Sequence, residues 1–183
     1  FRDWLRAGKR TWRESVAVLL QAARGLNAAH EQGLLHGDLT LNNIVVTRAG
    51  VAKLVDFGLA RQEAGGAGTS GSAPRIELTE ICGTPGYVAP EQLMPGMIDA
   101  RTDLFSLCVI GWEAVCGVRP YPDGSLTPGT LPTAAPPPRP AREAWPDSAP
   151  GWLRDLLLRG LELGREARPA SVRALIGELE RRL

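Results

Sequence analysis

Only three cysteines, Cys82, Cys108 and Cys116, occur in the 183 residues, and no two have CxxC spacing. This scarcity excludes a disulfide framework and a cysteine metal knuckle, and it suits reduced thiols in a cytoplasmic setting. Lysine is scarcer still. Lys9 and Lys53 stand against nineteen arginines, which we read as the coding bias of a GC-rich bacterial genome. Excess charge of one sign is missing too: the formal net charge is +1, with no long block of either sign. A whole-surface field for nucleic acid or an anionic membrane is thereby excluded, and partner choice has to come from a site. The longest apolar run, residues 104–118, contains Ser106 and Glu113 and is too short to span a bilayer. No internal repeat is present. What remains, at 44% hydrophobic and 22% charged, is the composition of one globular domain over residues 1–183.

Val16, Leu19, Leu20, Ala23, Leu26 and His30 recur at helical spacing, which predicts a half-buried helix over 13–32 ended by Gly33. IVV at 44–46 and VAKLV at 51–55 read as two short strands around a turn at 48–50. Residues 61–81 have the polar, Gly/Ser-rich composition of a mobile segment. Residues 102–117 predict a helix buried on most sides. Ten of the fifteen prolines fall within 120–150, which argues against regular helix there. Helical spacing returns over 152–161 and 172–183. The fold class is therefore mainly α with a small antiparallel β element.

HGDLTLNN, residues 36–43, gathers a carboxylate and a carboxamide in one loop, and Asp56 follows Asn43 by thirteen residues across the predicted hairpin. Phosphoryl transfer needs one group to orient the attacking hydroxyl and at least two oxygen ligands for magnesium. Asp38 suits the first role; Asn43 and Asp56 suit the second.

In these residues the chain resembles the larger, C-terminal lobe of the protein kinase superfamily, in its bacterial, eukaryotic-like Ser/Thr branch. HGDLTLNN matches the catalytic-loop pattern at His36, Asp38 and Asn43, and DFGLA matches the metal-binding loop at Asp56, Phe57 and Gly58. GTPGYVAPEQ, 83–92, looks like the close of an activation segment spanning 56–91; DLFSL with Asp103 and the late Arg168-Pro169 follow in family order. The resemblance implies ATP and Mg2+ as cofactors and a protein bearing Ser or Thr as substrate. By position, Asp38 is the catalytic acceptor, Asn43 and Asp56 hold magnesium, and Val45 lies under the adenine. It further implies that Thr84 sits beside Asp38, that His36 packs on Phe57, that Glu91 pairs with Arg168, and that Asp103 holds the catalytic-loop backbone.

Three departures stand out. Gly37 replaces the family's arginine, so switching through that residue and a phosphate is excluded; Thr79, Thr69, Ser70 and Ser72 remain candidate phosphosites. Thr40 replaces a lysine that reaches the transferred phosphate, a loss on the order of 2.7–4 kcal/mol by analogy with an oxyanion donor. The family's N-terminal lobe, with its glycine-rich loop and strand lysine, has no counterpart in these residues; GAGTSG at 66–71 lacks the strand context and reads as a linker. We therefore expect a partial kinase domain, inactive alone, whose missing lobe is its first partner, with no nucleic-acid or membrane contact. The tract 120–150 stands where the family has a docking helix and reads as an irregular loop or a polyproline partner site. Two other functions compete: a scaffold that keeps the fold without catalysis, and a small-molecule phosphotransferase of the aminoglycoside or choline kind, against which Thr84, Tyr87 and Glu91 argue.

Overall fold

The computed structural model describes residues 1–57, 75–78, 83–93, 95–121, 126 and 142–183. Gly58, Thr69, Ser70, Ser72 and Thr79 lie outside the described residues, as do the GAGTSG stretch and most of the proline-rich tract.

The chain is mostly helical. A short helix α1 (Arg2–Arg6) leads to α2 (Trp12–Glu31), whose start is set by a capping box: the Thr11 side chain accepts from the Glu14 N–H, and Glu14 Oε2 accepts from the Thr11 N–H at 2.8 Å. Val16, Leu19, Ala23 and Leu26 form its fully buried stripe, and Gly33, at φ +75°, turns the chain out of the helix region. The antiparallel hairpin β1 (Ile44–Val46) and β2 (Ala52–Leu54) follows, with Ile44 opposite Leu54 and Val45 opposite Lys53. Because side chains alternate along a strand, Ile44 is buried in the core while Val45 and Lys53 face outward.

The central helix is α3 (Ala100–Cys116). Its N-cap, Asp99, accepts from the Arg101 N–H, and Gly117 ends it at φ +76°. Residues 102–112 of α3 are all buried, packed between α2 on one side and α4 (Gly151–Gly160) on the other. Two glycines permit that approach. A Cβ on Gly111 would lie 2.8 Å from the Leu19 side chain and 3.0 Å from that of Leu157, and one on Gly160 would lie 2.1 Å from Cys108 Sγ. α5 (Val172–Glu180), capped by Ser171, closes the core against α2.

One sequence expectation is corrected. Residues 61–81 read as a mobile segment, yet Arg75–Leu78 forms a strand, β3, paired antiparallel with β4 (Gly96–Asp99) in register Arg75 to Asp99. Four residues of mixed character carry too little alternation to announce a strand whose partner is twenty residues away. Among the described residues no helix is long and apolar enough to cross a membrane.

Candidate active site

The loop at 36–43 is held from behind by one buried carboxylate. Asp103, in the first turn of α3, accepts from the His36 N–H through Oδ2 (2.8 Å) and from the Gly37 N–H through Oδ1 (2.7 Å). His30, at the end of α2, donates from Nε2 to the same Oδ2 at 2.7 Å. Gly37 adopts φ +75°, where a Cβ is disfavoured, and its carbonyl accepts from Gln92 Nε2 at 2.7 Å. Both backbone groups of Gly37 are thereby used. The buried His36 ring spans the two loops: Nδ1 accepts from the Asp38 N–H at 3.4 Å, Nε2 donates to the Val55 carbonyl at 3.2 Å, and the ring lies 4.7 Å from that of Phe57.

Beside that clamp, Asn43 and Asp56 come to one end of the hairpin, and Asp38 lies in the loop that His36 ties to Val55. The Val55 N–H donates to the Asn43 carbonyl at 2.9 Å, so Asp56 follows directly on the strand beside Asn43. Asp38 Oδ1 accepts from both the N–H (2.8 Å) and the hydroxyl (2.7 Å) of Thr84. Its Oδ2 has no hydrogen-bond partner among the described residues. Asp56 is exposed and is the one non-glycine residue with positive φ, +57°, among the described residues. Aspartate tolerates this left-handed region better than most, yet the conformation still costs on the order of 1 kcal/mol and concentrates at functional sites.

Thr40 does something the sequence did not announce. Its N–H (2.9 Å) and its hydroxyl (2.6 Å) both donate to Asn43 Oδ1. A carbonyl oxygen has two lone pairs, so both are engaged. Val45, expected under the adenine, does not belong to the core: 46% of it is exposed, an apolar side chain left open on the outward face of the hairpin.

The segment 83–93 closes over the loop and is pinned to the lobe. Arg168, its side chain fully buried, grips Glu91 with Nη1 at 2.7 Å and Nη2 at 2.9 Å. Its remaining N–H groups donate to the carbonyls of Glu162, Arg101 and Leu163, so all five donors are satisfied. Thr102 adds a bond to Glu91 Oε1 at 2.9 Å. Burial pushes the Glu91 carboxyl up, but the bonds and charge of Arg168 outweigh it, and the group is held below its ordinary value. Tyr87 donates to Glu113 Oε2 at 2.5 Å; burial, and next that acceptor, push its hydroxyl up to about 12.

Three residues of this network escaped the sequence reading. Gln92 offered no signal beyond its place after Glu91. His30 did, as a histidine in a buried stripe, which requires a polar partner. Glu113 did also, as an isolated acid in an apolar helix.

A family model described as the protein kinase domain matches residues 2–175. Serine/threonine-protein kinase PknA of Mycobacterium tuberculosis is 37% identical over 134 residues, covering 73% of this chain and 30% of the relative. Pkn1 of Myxococcus xanthus, a serine/threonine-protein kinase, is 33% identical over 169 residues, covering 90% of this chain and 23% of the relative. A probable serine/threonine-protein kinase of Clostridium perfringens is 31% identical over 170 residues, covering 91% and 23%. The chain thus spans less than a third of the length of these relatives.

Proposed function

The chain belongs to the protein kinase domain family, and on that premise we propose that it is the C-terminal lobe of a Ser/Thr protein kinase, transferring the γ-phosphate of ATP to a protein hydroxyl. The observation that carries this reading is the Asp38 carboxylate. Thr84 immobilises one oxygen with two hydrogen bonds, and the other, without a partner among the described residues, is the one an incoming hydroxyl would meet. A group that accepts that hydroxyl's hydrogen bond and aligns its oxygen supplies most of what a protein side chain can add to phosphoryl transfer.

The donor chemistry fits magnesium. Asn43 and Asp56 offer only hard oxygens, and Mg2+ is commonly held by one or two such groups plus phosphate and water. When bound, the ion neutralises phosphate charge; Asp56 would hold it through its open carboxylate. Val45, exposed opposite Lys53, offers an apolar surface for a purine ring. The glycine-rich loop and strand lysine would come from an N-terminal lobe, so these residues alone would be a poor nucleotide binder. Residues 56–91 would act as the activation segment.

One observation favours a second reading, a scaffold without catalysis. Thr40 engages both lone pairs of the Asn43 oxygen that magnesium needs, and no lysine stands in its place. Transfer of labelled phosphate by the two-lobed protein, compared with its Asp38→Ala variant, separates the two. Activity at least a hundredfold above that variant is the expected result; equal activity would establish the scaffold.

A further inference from the structure

A cleft of about 760 Å³ opens between α1 with its following turn and the C-terminal turn of α3. Among the described residues, four cationic side chains line it, Arg2, Arg6, Lys9 and Arg10, against a single carboxylate, Glu113. That carboxylate is already engaged by the Tyr87 hydroxyl. The C-terminal end of α3 contributes about half a negative charge, which still leaves the cleft strongly positive in a chain whose net charge is +1.

The cations are not consumed by the fold. Arg6 and Lys9 are exposed and form no ion pair among the described residues. Arg10 is positioned by a bond from Nε to the Trp4 carbonyl and lies 4.0 Å over the Trp4 ring, contacts that orient its charge without neutralising it. Arg2 donates from Nη2 to the Tyr87 hydroxyl at 3.1 Å, while its Nε is buried with no hydrogen-bond partner among the described residues. A buried N–H left unpaired costs about 1–3 kcal/mol, so the Arg2 side chain is held by its Tyr87 contact at a cost rather than by a full set of partners.

The cleft adjoins the reacting end of the site. Leu41, on its floor, is three residues from Asp38, so their Cα atoms are at most about 11 Å apart, roughly the reach of three extended residues. From the other wall, Glu113 holds Tyr87, three residues after the Thr84 that fixes Asp38. A peptide offering its hydroxyl to Asp38 therefore places its near neighbours at the cleft.

We propose that this cleft selects acidic substrates, taking Asp or Glu side chains within about four residues of the phosphorylated Ser or Thr. The proposal rests on the kinase reading, and its test has two separable parts. In the first, a fluorescent peptide with glutamates flanking one serine is titrated into the protein, beside the same peptide with alanines. The acidic peptide should bind at least about tenfold more tightly at low salt, and Arg6→Glu with Lys9→Glu should remove most of that difference. In the second, kcat/KM for the two peptides is compared in the two-lobed protein. The acidic peptide should be preferred by a similar factor, and Arg173→Ala, on the exposed face of α5, should leave the preference intact. Acid-selective binding without any phosphate transfer would sink the kinase reading and leave the cleft standing. Transfer with no preference for acid, or with the alanine peptide preferred, would overturn the cleft. So would selective capture of vesicles rich in anionic lipid that the double variant abolishes, with no discrimination between peptides.

Discussion

Behind the loop at 36–43 almost every polar valence is filled; in front of it, among the described residues, several are open. Arg168 uses all five donors, Asp103 binds three partners, and Gly37 uses both backbone groups. On the open side, Asp38 keeps one oxygen without a partner among the described residues, Asp56 is exposed in a left-handed conformation, and Val45 is bare. Saturated groups hold geometry, and unsaturated ones are where a ligand gains most. The contrast separates scaffold from site without reference to any relative. Thr40 is the exception, since it carries saturation across to the open side.

Breaking the comparison should produce effects of different kinds. The largest falls on the open side: on the proposed kinase reading, Asp38→Ala should lower the kcat of this chain joined to an N-terminal lobe by about 10²–10⁴-fold while stability to urea changes by no more than about 1 kcal/mol. Next comes the filled side. Arg168→Ala leaves Glu91 buried without its cation, and should cost about 3–5 kcal/mol in urea unfolding. Arg168→Lys should recover only part of this, because an ammonium cannot replace a five-donor fork.

A smaller effect concerns acid. Glu91 has its carboxyl held below the ordinary 4.5, so its contribution is complete above that value and is lost as pH falls through the lower folded value. Unfolding free energy followed from pH 6 downward should therefore fall, and Glu91→Gln should flatten that part of the curve while lowering the plateau. The smallest effect sharpens the exception. Thr40→Val removes one of the two bonds on Asn43 Oδ1, and the magnesium midpoint for thermal stabilisation by ATP should drop by roughly three- to tenfold. Thr40→Ser should leave the midpoint unchanged.

Much of this arrangement was legible in the residue order. The helix expected over 13–32 is Trp12–Glu31, and the hairpin expected at 44–46 and 51–55 is Ile44–Val46 with Ala52–Leu54, because each carries its own periodicity and its own stop signals. The β3–β4 pairing was not legible, being a pairing of short segments with no pattern of their own. Neither was Gln92, whose partner Gly37 lies 55 positions away. The effect of Thr40 was half visible. That a hydroxyl lacks lysine's charge follows from composition; that it turns back onto Asn43 depends on the loop's path.

By itself the order of residues determined which chemistry was possible: hard oxygens at 38, 43 and 56, an acid for Arg168, and no thiol cluster to compete. Only the tertiary structure decided which of those groups are satisfied and which stay open, since satisfaction depends on distance between residues far apart in the chain. The same separation hid the basic cleft, whose walls are contributed by residues near 2–10 and 113–117 and exist as one surface only when α1 packs beside the end of α3.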